Sequence, residues 1–260
     1  MSSSQEFRSR VACRERLIGI FVKTIDHSVI EILGHRTGVD FVVLDLEHAS
    51  ASPERIDSCI LAARAVSLPL LVRVPSATSE YVAHTLDMGA SGILFPRIST
   101  HVEAANAVGK MRFRGGERGF SLSHRAGYFG RLSPQQFVEA NDHNLLAAVQ
   151  IEDPEAVKNA DKIASVPGVD VNFVGPADLQ VALAENPESE EGSLQCQIRE
   201  ALKKTIDNQG VAGIYLAGLQ DVEHYLDLGV SFFVVSTDQA VLGSGVESLI
   251  SDFKPYLGDP

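Results

Sequence analysis

Tryptophan is absent and cysteine is scarce: Cys13, Cys59 and Cys196 are the only three in 260 residues. They are far apart, odd in number and make no CxxC pair, which argues against a disulfide framework or a zinc ribbon. Basic charge is short too. Lys and Arg total 22 against 34 Asp and Glu, a formal charge of −12, so the chain lacks the basic face that nucleic acid or an anionic membrane would need. An anionic small substrate stays open, provided that a pocket supplies its own positive charge. No apolar run approaches the roughly 20 residues that cross a bilayer. The opening MSSSQEFRSR has no apolar core of the secretory kind, so a reducing cytoplasm is the expected compartment.

What is present fits a barrel-sized domain over residues 1–260, with 45% hydrophobic and 22% charged residues. One phrase recurs four times: GVDFVVLD from Gly38, GASGILFP from Gly89, GVDVNFVG from Gly168 and GVSFFVVS from Gly229. Three of the four follow an amphipathic stretch, so the glycine is expected to close a helix in the left-handed conformation. The apolar run after it reads as a strand buried on both faces. Extending the pattern gives strands at 17–22, 41–47, 70–74, 92–98, 145–152, 171–175, 212–217 and 232–237. Ser52-Pro53-Glu54, Ser133-Pro134 and Asp153-Pro154-Glu155 mark helix starts between them. Two connections are long, one holding RFRGGERGFSLSHRAGYFG and one the acidic ENPESEEGS. Eight such units predict an α/β fold, a closed (β/α)8 TIM barrel in preference to an open doubly wound sheet.

Polar residues interrupt the buried runs mainly at their C-terminal ends: Asp45, Glu47, His48, Arg73, Arg97, Gln150, Glu152 and, just beyond the sixth run, Asp178. A parallel barrel opens all those ends on one face, where enzymes of this architecture keep their active sites. Glu152 and Asp178 each read as a helix cap or ion-pair partner, or together as carboxylates for a divalent cation. Two carboxylates suit Mg2+ or Mn2+ better than zinc. His48 reads as a half-buried histidine, or as a general base set by Asp45 three residues before it. Arg73 reads as a barrel ion pair, or as a fork for a carboxylate or a developing enolate. The other histidines in helical or loop stretches (27, 35, 84, 101, 143 and 224) read as surface residues.

GVDFVVLDLEHA, LVRVP, LDMGASGILFPRI, ERGFSLSHRAGYFG, VQIED and GVDVNFVGPADL together resemble the HpcH/HpaI family of pyruvate-dependent class II aldolases, in that family's order and over residues 17 to 255. The resemblance implies a TIM barrel of the phosphoenolpyruvate/pyruvate-binding type that reversibly cleaves a 4-hydroxy-2-keto acid, such as 2-dehydro-3-deoxyglucarate, to pyruvate and an aldehyde. It also implies a divalent cation, Mg2+ or Mn2+ with Co2+ a further candidate, on Glu152 and Asp178. His48 would be the base, poised by Asp45, and Arg73 would polarise the pyruvyl carbonyl. Gln150, Ala177, Asp178, Arg73 and Tyr215 would contact substrate, with Glu47 and Asp87 supporting them from behind. The family assembles as hexamers, trimers of dimers, and the apolar tail at about 239–256 is a candidate for exchange between subunits. Leu46, Gln180 and Tyr215 depart from close relatives, and Tyr215 bears on the choice of aldehyde. The alternatives are a citryl- or malyl-thioester lyase on the same barrel and, more remotely, a catalytically silent binding barrel.

Overall fold

A computed structural model describes residues 3–184 and 192–257 of the chain, so most of the acidic stretch ENPESEEGS lies outside the described residues. Eight parallel strands close in sequence order: β1 (Leu17–Val22), β2 (Phe41–Asp45), β3 (Leu70–Arg73), β4 (Gly92–Phe95), β5 (Leu146–Ile151), β6 (Val171–Val174), β7 (Ala212–Leu216) and β8 (Phe232–Thr237). Helices follow the strands on the outside, and every expected strand is found, β1 and β8 with the expected ends and the other six trimmed.

Side chains on a strand alternate between faces, and here both faces are buried. Val42 and Leu44 point to the helices, whereas Phe41 and Val43 fill the barrel with Leu17, Phe21, Leu71, Leu94, Leu146, Ala148, Val171, Phe173, Phe232 and Val234. The inner series, followed upward by twos, ends in polar residues. Leu17, Gly19 and Phe21 lead to Lys23, and Phe41 and Val43 lead to Asp45. Leu71 leads to Arg73, and Leu146 and Ala148 lead to Gln150 and then Glu152. Period two thus fills the lower barrel with apolar groups and places the chemistry at its mouth.

The lower end is closed by a helix that the strand pattern did not anticipate, Ser3–Ala12, which inserts Phe7 and Val11 into the barrel. Phe7 lies 5.3 Å from the Phe41 ring, which stacks on Phe232 at 4.4 Å. At the helix starts, Ser133 forms a capping box with Gln136, and Asp153 accepts from the Ala156 N–H. Ser52 precedes Pro53 without a side-chain cap bond. Gly89 (φ 104°) and Gly229 (φ 96°) close helices as expected, whereas at Gly38 the helix His27–Arg36 ends on extended Thr37 instead. β2 stops at Asp45 because the Glu47 and His48 N–H groups turn back to donate to its Oδ1, at 3.1 and 3.2 Å.

Candidate active site

The barrel mouth holds a cavity of about 290 Å3 whose lining includes Lys23, His48, Arg73, Gln150, Ala177, Asp178, Tyr215 and Thr237. Four β-strands (β3, β5, β7 and β8), the segments that follow β1 and β2, and the first turn of the helix Pro176–Ala184 supply these groups, so residues spread over the whole sequence meet there.

Arg73 is almost wholly buried, with its guanidinium 4.5 Å above the Phe21 ring. Its Nε and Nη2 donate to the two oxygens of Asp45 at 2.9 and 2.7 Å. Asp45 is fully buried. Burial alone would raise its pKa, but the hydrogen bonds and charge of Arg73 outweigh that, and the carboxyl is held below its ordinary range. This corrects the expectation that Asp45 orients His48. Its oxygens are taken by Arg73 and by two backbone N–H groups, so it contacts His48 through the main chain only. The carboxylate beside the half-exposed imidazole is Glu47, whose Oε2 is 3.9 Å from His48 Nε2 and 3.5 Å from Arg73 Nη1. Glu47 titrates above its usual range, because burial outweighs the opposing charges of Arg73, His48 and Arg97.

Glu152 is 4% exposed. Its Oε1 accepts the Arg97 N–H at 2.7 Å, and its Oε2 pairs closely with the Gln150 amide. Arg97 is held at φ 54°, a conformation that a non-glycine residue rarely adopts, and this aims its N–H at Glu152. Burial raises the Glu152 pKa to about 7; the Arg97 N–H opposes this, while the nearby charges of Asp178 and Glu47 add to it. Among the described residues, buried Gln150 Oε1 has no hydrogen-bond partner. A Cβ built at Gly175 would stand 3.0 Å from Glu152 Oε2 and 3.2 Å from Gln150 Nε2. A buried carboxylate with a second one close enough to raise its proton affinity, an unsatisfied carbonyl oxygen and a space kept free by glycine together fit a hard divalent cation. Among the described residues no group of three or more His, Cys, Asp or Glu could hold a metal, so these two carboxylates would be helped by water or substrate.

Tyr215 stands in the lining, its ring 5.8 Å from Phe21. Asp87 does not. It ends the helix Tyr81–Met88, which runs from the mouth back to the start of β4, and there it pairs with Arg118 at 2.6 Å, with His124 Nε2 at 3.3 Å. The expected support from Asp87 is therefore corrected within this chain: the helix direction carries it to the far end. Lys23 and Thr237 are lining residues that the sequence reading passed over. Both sit at strand C-termini, so the rule that found Arg73 and Gln150 also reaches them when applied to β1 and β8.

The family model for HpcH/HpaI aldolase/citrate lyase matches residues 17–243. A protein of Escherichia fergusonii named 5-keto-4-deoxy-D-glucarate aldolase is 34% identical over 251 residues, 96% of each chain. One of the same name from Salmonella arizonae is 32% identical over 250 residues, again 96% of each. Among solved structures, an HpcH/HpaI aldolase/citrate lyase family protein from Burkholderia cenocepacia superposes with a TM-score of 0.88 at 28% identity, covering 96% of this chain and 99% of its own.

Proposed function

The chain belongs to the HpcH/HpaI aldolase/citrate lyase family, and from that premise we propose that it is a metal-dependent aldolase cleaving a 4-hydroxy-2-keto acid, such as 5-keto-4-deoxy-D-glucarate, to pyruvate and an aldehyde. The observation that carries the reading is the pairing, at one barrel mouth, of the Gln150–Glu152–Asp178 group with Arg73 and His48. A divalent cation, Mg2+, Mn2+ or Co2+, would be held by Glu152 and Asp178 and would supply Lewis-acid charge to the keto-acid oxygens.

The remaining steps belong to the chain's own groups. The Ala177 and Asp178 N–H groups open a helix and bind the substrate carboxylate. Arg73, kept charged and aligned by Asp45, adds positive charge where the C2 oxygen gains electron density. Nη1, which stands 3.5 Å from Glu47 and makes no hydrogen bond to it, serves this purpose, since Nε and Nη2 are committed to Asp45. His48 takes the C4 hydroxyl proton during cleavage and returns it during synthesis, with Glu47 beside the ring. Tyr215 borders the aldehyde half. The thioester-lyase alternative is less supported, since both relatives are named as aldolases.

The domain is a single barrel over residues 1–260 that works in the cytoplasm, where the free Cys13, Cys59 and Cys196 stay reduced. No helix of the described residues is long and apolar enough to cross a membrane. Its assembly is a hexamer, a trimer of dimers, with the last helix, about 239–256, exchanged. Support comes from the helix Asp238–Phe253, which has no buried residue and exposes Leu242 (68%) and Leu249 (66%). Pyruvate release from a series of 4-hydroxy-2-keto acids, coupled to lactate dehydrogenase, tests the activity. Release that stops with EDTA and returns with Mg2+ or Mn2+ is the expected result, and no release from any member of the series overturns the reading.

A further inference from the structure

Lys23 stands at the top of the inner series of β1, at the cavity wall. Its backbone is fixed from the far side of the β1–β8 seam. β8 carries one extra residue, so that Gly19 pairs with Val234 but Phe21 with Thr237, and Ser236 takes φ 62° within the bulge. Bulges of this kind re-aim side chains beside active sites. Here the bulge turns Thr237 to the cavity and brings Asp238 over β1. The Asp238 carboxylate then accepts the Lys23 N–H at 2.8 Å and the Thr24 N–H at 3.0 Å.

The charged end of Lys23 is held much less firmly. Its Nζ is 3.7 Å from Asp45 Oδ2, an oxygen that already accepts from Arg73. That separation is too long for a hydrogen bond, and among the described residues the ammonium makes none. The side chain is 28% exposed. Arg73, the other strong cation of the lining, is already paired on both oxygens of Asp45.

Position settles what such a group can meet. In the closed strand order β1 lies four strands from β5, so Lys23 faces Glu152 and Asp178 across the mouth. A keto acid held by its C1–C2 end at Gln150, Glu152 and Asp178 extends past Tyr215 on β7 and Thr237 on β8 towards Lys23. The chain's net charge of −12, with four carboxylates at this mouth, repels a second substrate carboxylate unless a local cation receives it. We infer that Lys23 binds the carboxylate carried by the aldehyde half, and is the residue at this mouth that selects keto diacids over keto monoacids. This rests on the aldolase reading for the direction in which substrate lies.

Binding of two unreactive six-carbon probes decides it. Both 2-oxoadipate and 2-oxohexanoate lack the C4 hydroxyl, so neither is cleaved, and they differ in the distal carboxylate. Calorimetry in saturating Mn2+ is expected to show the wild type favouring 2-oxoadipate by about tenfold or more, the scale of one partly desolvated charge contact. Lys23→Met should reduce that ratio to near one, and Lys23→Arg should keep part of it. A ratio untouched by Lys23→Met overturns the inference, as does a wild type with no preference. A loss of affinity shared by both probes leaves the ratio unmoved and makes Lys23 merely a partner of Asp45, which also overturns it. Failure of the aldolase reading shows separately, as the absence of pyruvate release from any 4-hydroxy-2-keto acid while the Lys23-dependent ratio persists.

Discussion

At the scale of single residues, Asp45 and Arg73 act as one unit. Both Asp45 oxygens are bonded to the guanidinium, and the pair is buried on Phe21. Asp45→Ala should therefore resemble loss of Arg73 more than loss of His48. We expect Asp45→Ala and Arg73→Lys each to slow exchange of the pyruvate methyl protons with solvent deuterium by about 10²-fold, the scale of one oxyanion donor. His48→Ala should slow aldol cleavage by about 10²–10⁴-fold, with a much smaller effect on exchange. Exchange followed by NMR beside a cleavage assay separates these outcomes. An Asp45→Ala variant that loses only cleavage would return Asp45 to the service of His48. Glu152 makes a second prediction. Its pKa is raised to about 7, so in the metal-free protein it carries a proton below that pH. The cation needs the ionised form. Metal affinity should thus be level above about pH 7 and fall by up to about tenfold per unit below it, whereas an ordinary carboxylate would leave it flat down to about pH 5. Calorimetric titration with Mn2+ from pH 5.5 to 8 reads this directly, and a flat profile contradicts it.

At the scale of elements, the end of β6 and the N-terminal helix do different work. Gly175 gives the barrel no packing, but a methyl group there would press on Glu152 and Gln150. Gly175→Ala is expected to weaken Mn2+ binding by about tenfold or more while the melting temperature changes little. A mutant with full metal affinity would show that the space is not needed. Phe7 has the opposite profile. It fills the lower barrel against Phe41 and Phe232, far from the mouth. Phe7→Ala should cost about 3–5 kcal/mol of stability and leave the turnover of the folded fraction unchanged, as chemical denaturation and active-site titration would show. The strand-end rule located the mouth in the sequence because a parallel barrel sends every C-terminal end to one face. The helix Ser3–Ala12 escaped that reading because its inward residues, Phe7 and Val11, are only two in ten.

At the scale of the molecule, the last helix tests the proposed assembly. On a solvated helix a charge in place of leucine changes stability by less than about 0.5 kcal/mol. In a buried interface it leaves an unpaired charge. The double change Leu242→Glu, Leu249→Glu should then convert the hexamer to smaller species in light scattering, with the barrel's circular dichroism retained. An unchanged particle mass would place this helix outside the interface.

The alternation of helix, glycine and apolar run determined the barrel by itself, because strands buried on both faces need helices around them and eight units close the ring. The motifs VQIE, GPADL and DxEH with VRVP likewise single out Glu152, Asp178, His48 and Arg73 in the sequence alone. Which carboxylate serves which cation was decided only in three dimensions. Asp45 and His48 are three residues apart, yet the turn after β2 hands the Asp45 side chain to Arg73, 28 residues on. Asp87 belongs to a motif and still leaves the mouth, because its helix runs the other way. Lys23 entered the cavity for the converse reason: its neighbours there, Tyr215 and Thr237, are about two hundred residues distant in sequence, and only closure of β8 on β1 sets them side by side.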